Sequence, residues 1–221
     1  MFIKSLSTEA LCVYVAKQMD HFFPDKQINP AQVNLHVKKA LKRTEYCFSN
    51  INVKYYTNGT DVFFNHLNAD HYVVFLSYLA NTVWKDTADV ALSSKIYYLN
   101  KSLHAFNLFY EIDLPDIFLL VHPFGTVLGR GRYKDYLVVY QRVSIGADKD
   151  DIYPVLGKGV VLYGGSALIG DCNIGNNCLV SAGTIVMGET IPDDCVIFKK
   201  NSQTAYKKTS KSVMDRYFIS R

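Results

Sequence analysis

The sequence predicts an α+β protein in two parts, a mainly helical first half followed by a parallel β-helix. Three observations carry this. Up to about residue 112, apolar residues recur at three- and four-residue spacing between helix start and stop signals. From about residue 113 a period of six takes over. That period breaks once, at the polar run Asp148-Lys149-Asp150-Asp151, which therefore reads as a loop extruded from the repeats.

Composition sets the outer bounds. A chain of 221 residues allows one or two domains with a sizeable core. A hydrophobic content of 49% with 20% charged residues is ordinary for a globular protein. The formal charge of +4 is too small to argue for nucleic acid as a partner. Much of the excess lies late, in Lys199, Lys200, Lys207, Lys208, Lys211, Arg216 and Arg221. Residues 203–221 read as a solvated basic tail, with an anion-facing role as the alternative. No apolar run reaches the ~18 residues of a membrane span, and the opening MFIKSLSTEA lacks a charged-then-apolar leader pattern. A soluble, cytoplasmic protein is expected. The five cysteines (Cys12, Cys47, Cys172, Cys178, Cys195) are odd in number and widely spaced, so buried thiols are expected rather than disulfides or a metal site.

Taken in order, a first helix is expected over Ser7 to His21, stopping before Pro24. Asn29-Pro30 is a strong helix start, with an N-cap side chain followed by proline at the first helical position. That second helix should run to about Tyr46 with Val33, Val37, Ala40 and Leu41 on one face. Residues 51–57 read as a strand, with Asn58-Gly59 as a hairpin-type turn. A third helix is expected from Asn68 to Trp84. A fourth should start at Ser93 or Ser94 and carry Ile96, Leu99, Leu103, Phe106 and Tyr110 on one face.

In the second half, Val121, Val127, Tyr133, Val139 and Ile145 are six apart. After the break the series resumes with Leu156, Leu162, Leu168, Ile174, Val180 and Val186. Four places after most of the second set come Val160, Ser166, Cys172, Cys178, Thr184 and Thr190, small enough to point inward. One inward aliphatic per hexad is the signature of a β-helix, since stacked coils bury a column that no single coil could bury. The alternative, unrelated strands with accidental spacing, must explain ten aliphatic residues at eleven positions.

These hexads resemble those of the hexapeptide-repeat acyltransferases. The stretches Tyr98–Phe106, Val121-His122-Pro123-Phe124-Gly125-Thr126-Val127-Leu128-Gly129 and Val143-Ser144-Ile145-Gly146, in that order, resemble segments of the serine acetyltransferase family. The resemblance covers about residues 93–200. It implies a left-handed β-helix over 113–202, behind a helical domain over 1–112. It also implies acetyl-CoA as co-substrate, no metal, and assembly as a homotrimer or a dimer of trimers.

Acetyl transfer to a hydroxyl needs a base, and a histidine suits that task near neutral pH. By the resemblance His122 is that base. For the carboxylate that orients it, Asp113 in Ile112-Asp113-Leu114-Pro115 is the first choice, then Asp116 and Glu111. The alternative for His122 is a coil histidine without chemistry. Gly146, Gly164, Gly165 and Ala182 are implied to line the cofactor path, or else to be plain tight turns. Lys199 and Lys200 are implied to meet phosphates.

The acceptor is where the chain departs from the family. An aspartate just before the histidine is replaced by Val121, and an Arg-His pair in the extruded loop by Ile152 and Tyr153. Apolar side chains cannot hold a small zwitterion's charges. Tyr153, Arg130 and Arg132 are the candidate acceptor contacts, and a sugar hydroxyl is the expected target. Serine is the alternative, and a β-helix without catalysis is a third reading.

Overall fold

The computed structural model describes residues 1–201 and 203–219. A short strand β1 (Phe2–Lys4) leads into helix α1 (Thr8–Phe22), whose N-cap Ser7 accepts the amide of Ala10. Helix α2 (Pro30–Ser49) begins as its Asn-Pro start requires, with Asn29 Oδ1 accepting from the Ala31 amide. Residues 51–57 do not form the expected strand. Thr57 only bridges to Val62 around a turn in which Asn58 Oδ1 accepts the amides of Thr60 and Asp61. The strand here is β2 (Val62–Phe64), because β1 offers it a parallel edge.

Helix α3 (Ala69–Thr87) is capped by Asn68, and α4 (Val90–His104) by Asp89, earlier than the expected serines. Ala105 then turns left-handed, at φ 47°, and ends α4. Phe106 and Tyr110 therefore lie beyond the helix, and Leu103 is left 37% exposed instead of sharing their buried face.

Helix α3 is the centre of the helical half. Every residue from His71 through Val83 is buried, as in a helix apolar all round. Two of its buried polar side chains find partners in the chain leading to the β-helix. Asn81 Nδ2 donates to the carbonyls of Tyr110 and Ile112, and the Tyr78 hydroxyl donates to that of Asp116. The helix is thus fixed along the top of the second half.

That half is a parallel β-solenoid. Strand β3 (Asn107–Leu108) opens it. Coils follow as β4 (Phe118–Val121), β5 (Val127–Leu128), β6 (Arg132–Tyr133); β7 (Leu137–Tyr140), β8 (Ser144–Gly146), β9 (Val155–Leu156); β10 (Val160–Leu162), β11 (Ala167–Ile169), β12 (Asn173–Ile174); and β13 (Cys178–Val180), β14 (Ile185–Met187), β15 (Thr190–Ile191). Strand β16 (Cys195–Lys200) begins a fifth level, and β17 (Gln203–Lys208) folds back on it antiparallel. Three sheets result: β4-β7-β10-β13-β16, β3-β5-β8-β11-β14 and β6-β9-β12-β15.

The six-residue column holds from Val139 onward. Val139, Ile145, Leu156, Leu162, Leu168, Ile174, Val180 and Val186 are all buried. Tyr133 pairs with Leu156 in the same column, but at Val121 and Val127 the expected phase is wrong by one place. Leu120 and Leu128 fill the core, whereas Val127 is 39% exposed. The cause is the corner between β4 and β5, which is two residues longer than the corresponding corners below. Thr190 is exposed because the last full coil is one residue short, pairing Asn173 with Thr190. All five cysteines are free and buried, with Cys172 and Cys178 inside the stack.

The C-terminal stretch is not a solvated tail. After β17 it forms α5 (Val213–Tyr217), whose Tyr217 hydroxyl lies 3.3 Å from that of Tyr140 and 3.0 Å from that of Tyr163. Buried Phe218 then bridges to Ile51, the Asn52 amide donates to the Tyr217 carbonyl, and the Ile219 amide donates to that of Asn50. The segment straps the solenoid to the helical half. Arg221 lies outside the described residues.

Candidate active site

The lengthened corner between β4 and β5 carries His122. Its backbone is left-handed, φ 49°, a conformation that disfavours side chains other than glycine's. The following turn is tight, the Phe124 amide donating to the His122 carbonyl at 2.7 Å. The two added residues push the imidazole out of the repeat, and its side chain is 82% exposed.

The partner of His122 is Asp70, in the first turn of α3. The His122 amide donates to Asp70 Oδ2 at 3.2 Å, and the same oxygen lies 3.5 Å from His122 Nδ1. Burial raises the Asp70 pKa, while the His122 amide and the imidazole charge pull it back. A carboxylate on Nδ1 favours the tautomer with its proton there, leaving Nε2 as the free basic nitrogen. The 3.5 Å separation is long for a formed hydrogen bond, a looseness common in catalytic pairs without substrate.

Asp113 does not reach His122. It is 85% exposed and its carboxylate pairs with Lys85 Nζ at 2.6 Å. Lys85 and Asp70 sit at opposite ends of α3, roughly 22 Å apart at the rise of an α-helix. Glu111 is also engaged elsewhere, accepting from Arg130 Nη2 at 2.6 Å. Sequence reading missed Asp70 because an acid in the first turn of a helix ordinarily needs no further explanation. Its one signal was the helix start at Asn68.

Beneath His122 the same corner repeats at each level. The Arg142 amide donates to the Phe124 carbonyl, the Gly165 amide to that of Gln141, and the Gly183 amide to that of Gly164. This ladder stacks Gly164-Gly165 and Ala182-Gly183 under the histidine. An added Cβ would meet nothing within 4 Å at Gly183, and only a backbone nitrogen at 3.9 Å at Gly165, so the corner is open to an approaching molecule. Strand β16 runs on past its pairing with β13, which brings exposed Lys199 and Lys200 to the next level. Four steps of ~4.8 Å separate His122 from these lysines, roughly 19 Å along one edge.

The other candidates lie elsewhere. Gly146 ends β8, at the far side of the second sheet, near the extruded loop. Tyr153 packs on Gly129, where an added Cβ would lie 3.3 Å from its ring. Arg130 and Arg132 line an open cleft of about 620 Å³ with Glu111, Asp113 and Lys134. Within one chain, the width of the second sheet separates this group from His122. Among the described residues no group of three or more His, Cys, Asp or Glu side chains could hold a metal ion, and no helix is long and apolar enough to cross a membrane.

A helical half stacked on a parallel β-solenoid is the fold that defines the class of protein to which this chain is structurally similar. Its solved counterparts are serine acetyltransferases. That of Brucella abortus strain S19 superposes with a TM-score of 0.69 over 90% of this chain and 83% of that one, at 15% identity. That of Vibrio cholerae O1 biovar El Tor N16961 gives 0.69 over 94% and 83%, at 14% identity. The Brucella abortus enzyme solved in complex with coenzyme A gives 0.69 over 93% and 84%, at 14% identity. At such identities the likeness establishes the fold. In sequence, a serine acetyltransferase of Synechococcus elongatus (strain ATCC 33912 / PCC 7942 / FACHB-805) is 29% identical over 90 residues. The match spans 39% of this chain and 36% of that protein. No model of a known protein family matches the chain.

Proposed function

We propose that this protein is an acetyl-CoA-dependent O-acetyltransferase whose acceptor is serine. The observation that carries the reading is the exposed His122 with Asp70 on its Nδ1 side, set at the head of an open corner that ends in Lys199 and Lys200.

Acetyl-CoA supplies an acetyl group activated as a thioester. His122 Nε2 takes the proton of the acceptor hydroxyl as the oxygen attacks, and returns it to the departing sulfur. Gly164, Gly165 and Ala182 leave room for the pantetheine arm, and Lys199 and Lys200 neutralise phosphate charge. The span of roughly 19 Å is on the scale of that arm. Gly146 has no part in this column. Asp70, in place of Asp113, orients the imidazole.

The departures at Val121, Ile152 and Tyr153 favour a sugar hydroxyl. The named relatives and solved neighbours are all serine acetyltransferases, one of them solved with cysteine, and this supports serine over a sugar. A homotrimer fits the reading as well. The second sheet turns Val127, Ile185 and Met187 outward, 39%, 53% and 62% exposed, which offers apolar surface for a neighbouring copy.

The test is CoA-thiol release with acetyl-CoA and a panel of serine, nucleotide sugars and oligosaccharides. Serine-dependent release, reduced on the order of 10²- to 10⁴-fold by His122→Ala, is the expected result. Release with a sugar alone would replace the acceptor. Absence of release with every acceptor would defeat the enzyme reading.

A further inference from the structure

Arg142 occupies a position that should belong to glycine. At the corner between the first and second sheets, each level has a left-handed residue just before the second sheet. Besides His122 itself, it is Gly125 (φ 71°) at the top level, Gly165 (72°) and Gly183 (68°) further down, and Arg142 (56°) between them. An arginine held there costs about 1–2 kcal/mol in backbone strain. No packing is gained in return, because the side chain is exposed. Among the described residues its guanidinium makes no ion pair, side-chain hydrogen bond or ring contact.

The direction of that side chain is informative. A Cβ built on Gly125 would lie 3.4 Å from Arg142 Cγ, so the arginine lies along the corner next to the His122 turn. The Arg142 amide also donates to the Phe124 carbonyl at 3.0 Å, which fixes its backbone one level from the histidine. A free, planar, permanently charged fork therefore stands about 5 Å of solenoid rise from His122. Residues 121, 152 and 153 offer no cation for an acidic acceptor, whereas Arg142 stands one level from the raised corner.

We infer that Arg142 binds the acceptor's carboxylate, so that the substrate class is a small hydroxyl compound with a carboxylate beside the hydroxyl-bearing carbon. The inference rests on the acetyltransferase reading and deepens it. A phosphate of acetyl-CoA is the other anion a guanidinium would take. It is disfavoured because Arg142 stands beside the histidine, whereas Lys199 and Lys200 stand at the far end of the column.

Arg142→Gly tests this without threatening the fold, since glycine is what the levels below carry and the left-handed strain is removed. The experiment measures steady-state kinetics with serine and with serinamide, which keeps the hydroxyl and amine but lacks the carboxylate. The melting temperature is followed in parallel. The expected result is a KM for serine raised roughly 10- to 100-fold, with kcat, the KM for acetyl-CoA and turnover of serinamide little changed. Unchanged KM for serine would overturn the inference and leave the acetyltransferase reading intact. So would a raised KM for acetyl-CoA alone, or wild-type protein using serinamide as well as serine. If wild-type protein transfers acetyl to no acceptor, the underlying reading fails and the inference falls with it.

Discussion

Asp70 and His122 are 52 residues apart in sequence and meet through a single carboxylate oxygen, Asp70 Oδ2, which takes the histidine's amide and faces its Nδ1. One oxygen thereby sets both the left-handed corner and the ring it carries. Asp70→Asn keeps an acceptor for the amide but removes the carboxylate charge that faces Nδ1. A fall in kcat of roughly 10²-fold or more is expected, with the fold unchanged by circular dichroism. Asp113→Asn should leave kcat within a factor of two or so, since it breaks only an exposed pair with Lys85. The opposite ranking would restore Asp113 as the orienting group.

The open corner makes a separate prediction. Ala182 is exposed and stands beside Gly183, where an added Cβ would meet nothing within 4 Å. Ala182→Trp should raise the KM for acetyl-CoA severalfold or more, without lowering the melting temperature. The pair Lys199→Glu with Lys200→Glu should do the same. Its effect should shrink as salt rises, because exposed charges are screened. Equal KM values in all three proteins would place the cofactor elsewhere.

Two buried histidines should make the fold acid-sensitive. Burial holds His71 and His104 down to about 4 from the ordinary 6.5. A histidine whose folded pKa is depressed stabilises the fold fully above the unfolded value, and that stability is lost as pH falls toward the folded one. Each therefore costs up to about 3 kcal/mol between roughly pH 6.5 and 4. Urea midpoints measured across this window should drop steeply, and His104→Leu should flatten the drop by about half. A midpoint independent of pH there would refute it.

The strap can be tested on its own. Phe218 is 2% exposed, and Phe218→Ala should cost about 3–5 kcal/mol. The variant should lower the melting of both halves together. Separate transitions, with only the solenoid affected, would show that the strap does not couple them.

Much of this fold is legible in the sequence where periodicity is strong. The hexad column from Val139 to Val186 and the helix starts at Asn29 and Asn68 follow from local rules. The phase at Val121 and Val127 does not, because two residues inserted at one corner slip an otherwise regular pattern. The turn at Asn58-Gly59 forms, but the strand expected over 51–57 does not, because the strand that pairs with β2, Phe2–Lys4, is remote in sequence. The site divides in the same way. His122 is read as a candidate from its motif, whereas Asp70 is joined to it only by the packing of a buried helix. Arg142 drew no notice as one charged residue among many, since its left-handed backbone is visible only in three dimensions.

The strap through Tyr217, Phe218 and Ile219 also sets an order of events. Stacked coils could mature one after another as the chain is synthesised, each adding to the last. The contact of Phe218 with Ile51 joins residues far apart in the chain, and contacts so distant form late. Until residues 217–219 emerge, the faces around Asn50 to Asn52, Tyr140 and Tyr163 stay bare to water and to other nascent chains. The interval before that closure is when this protein is most exposed to misassembly, and a helper that shields apolar surface would act then.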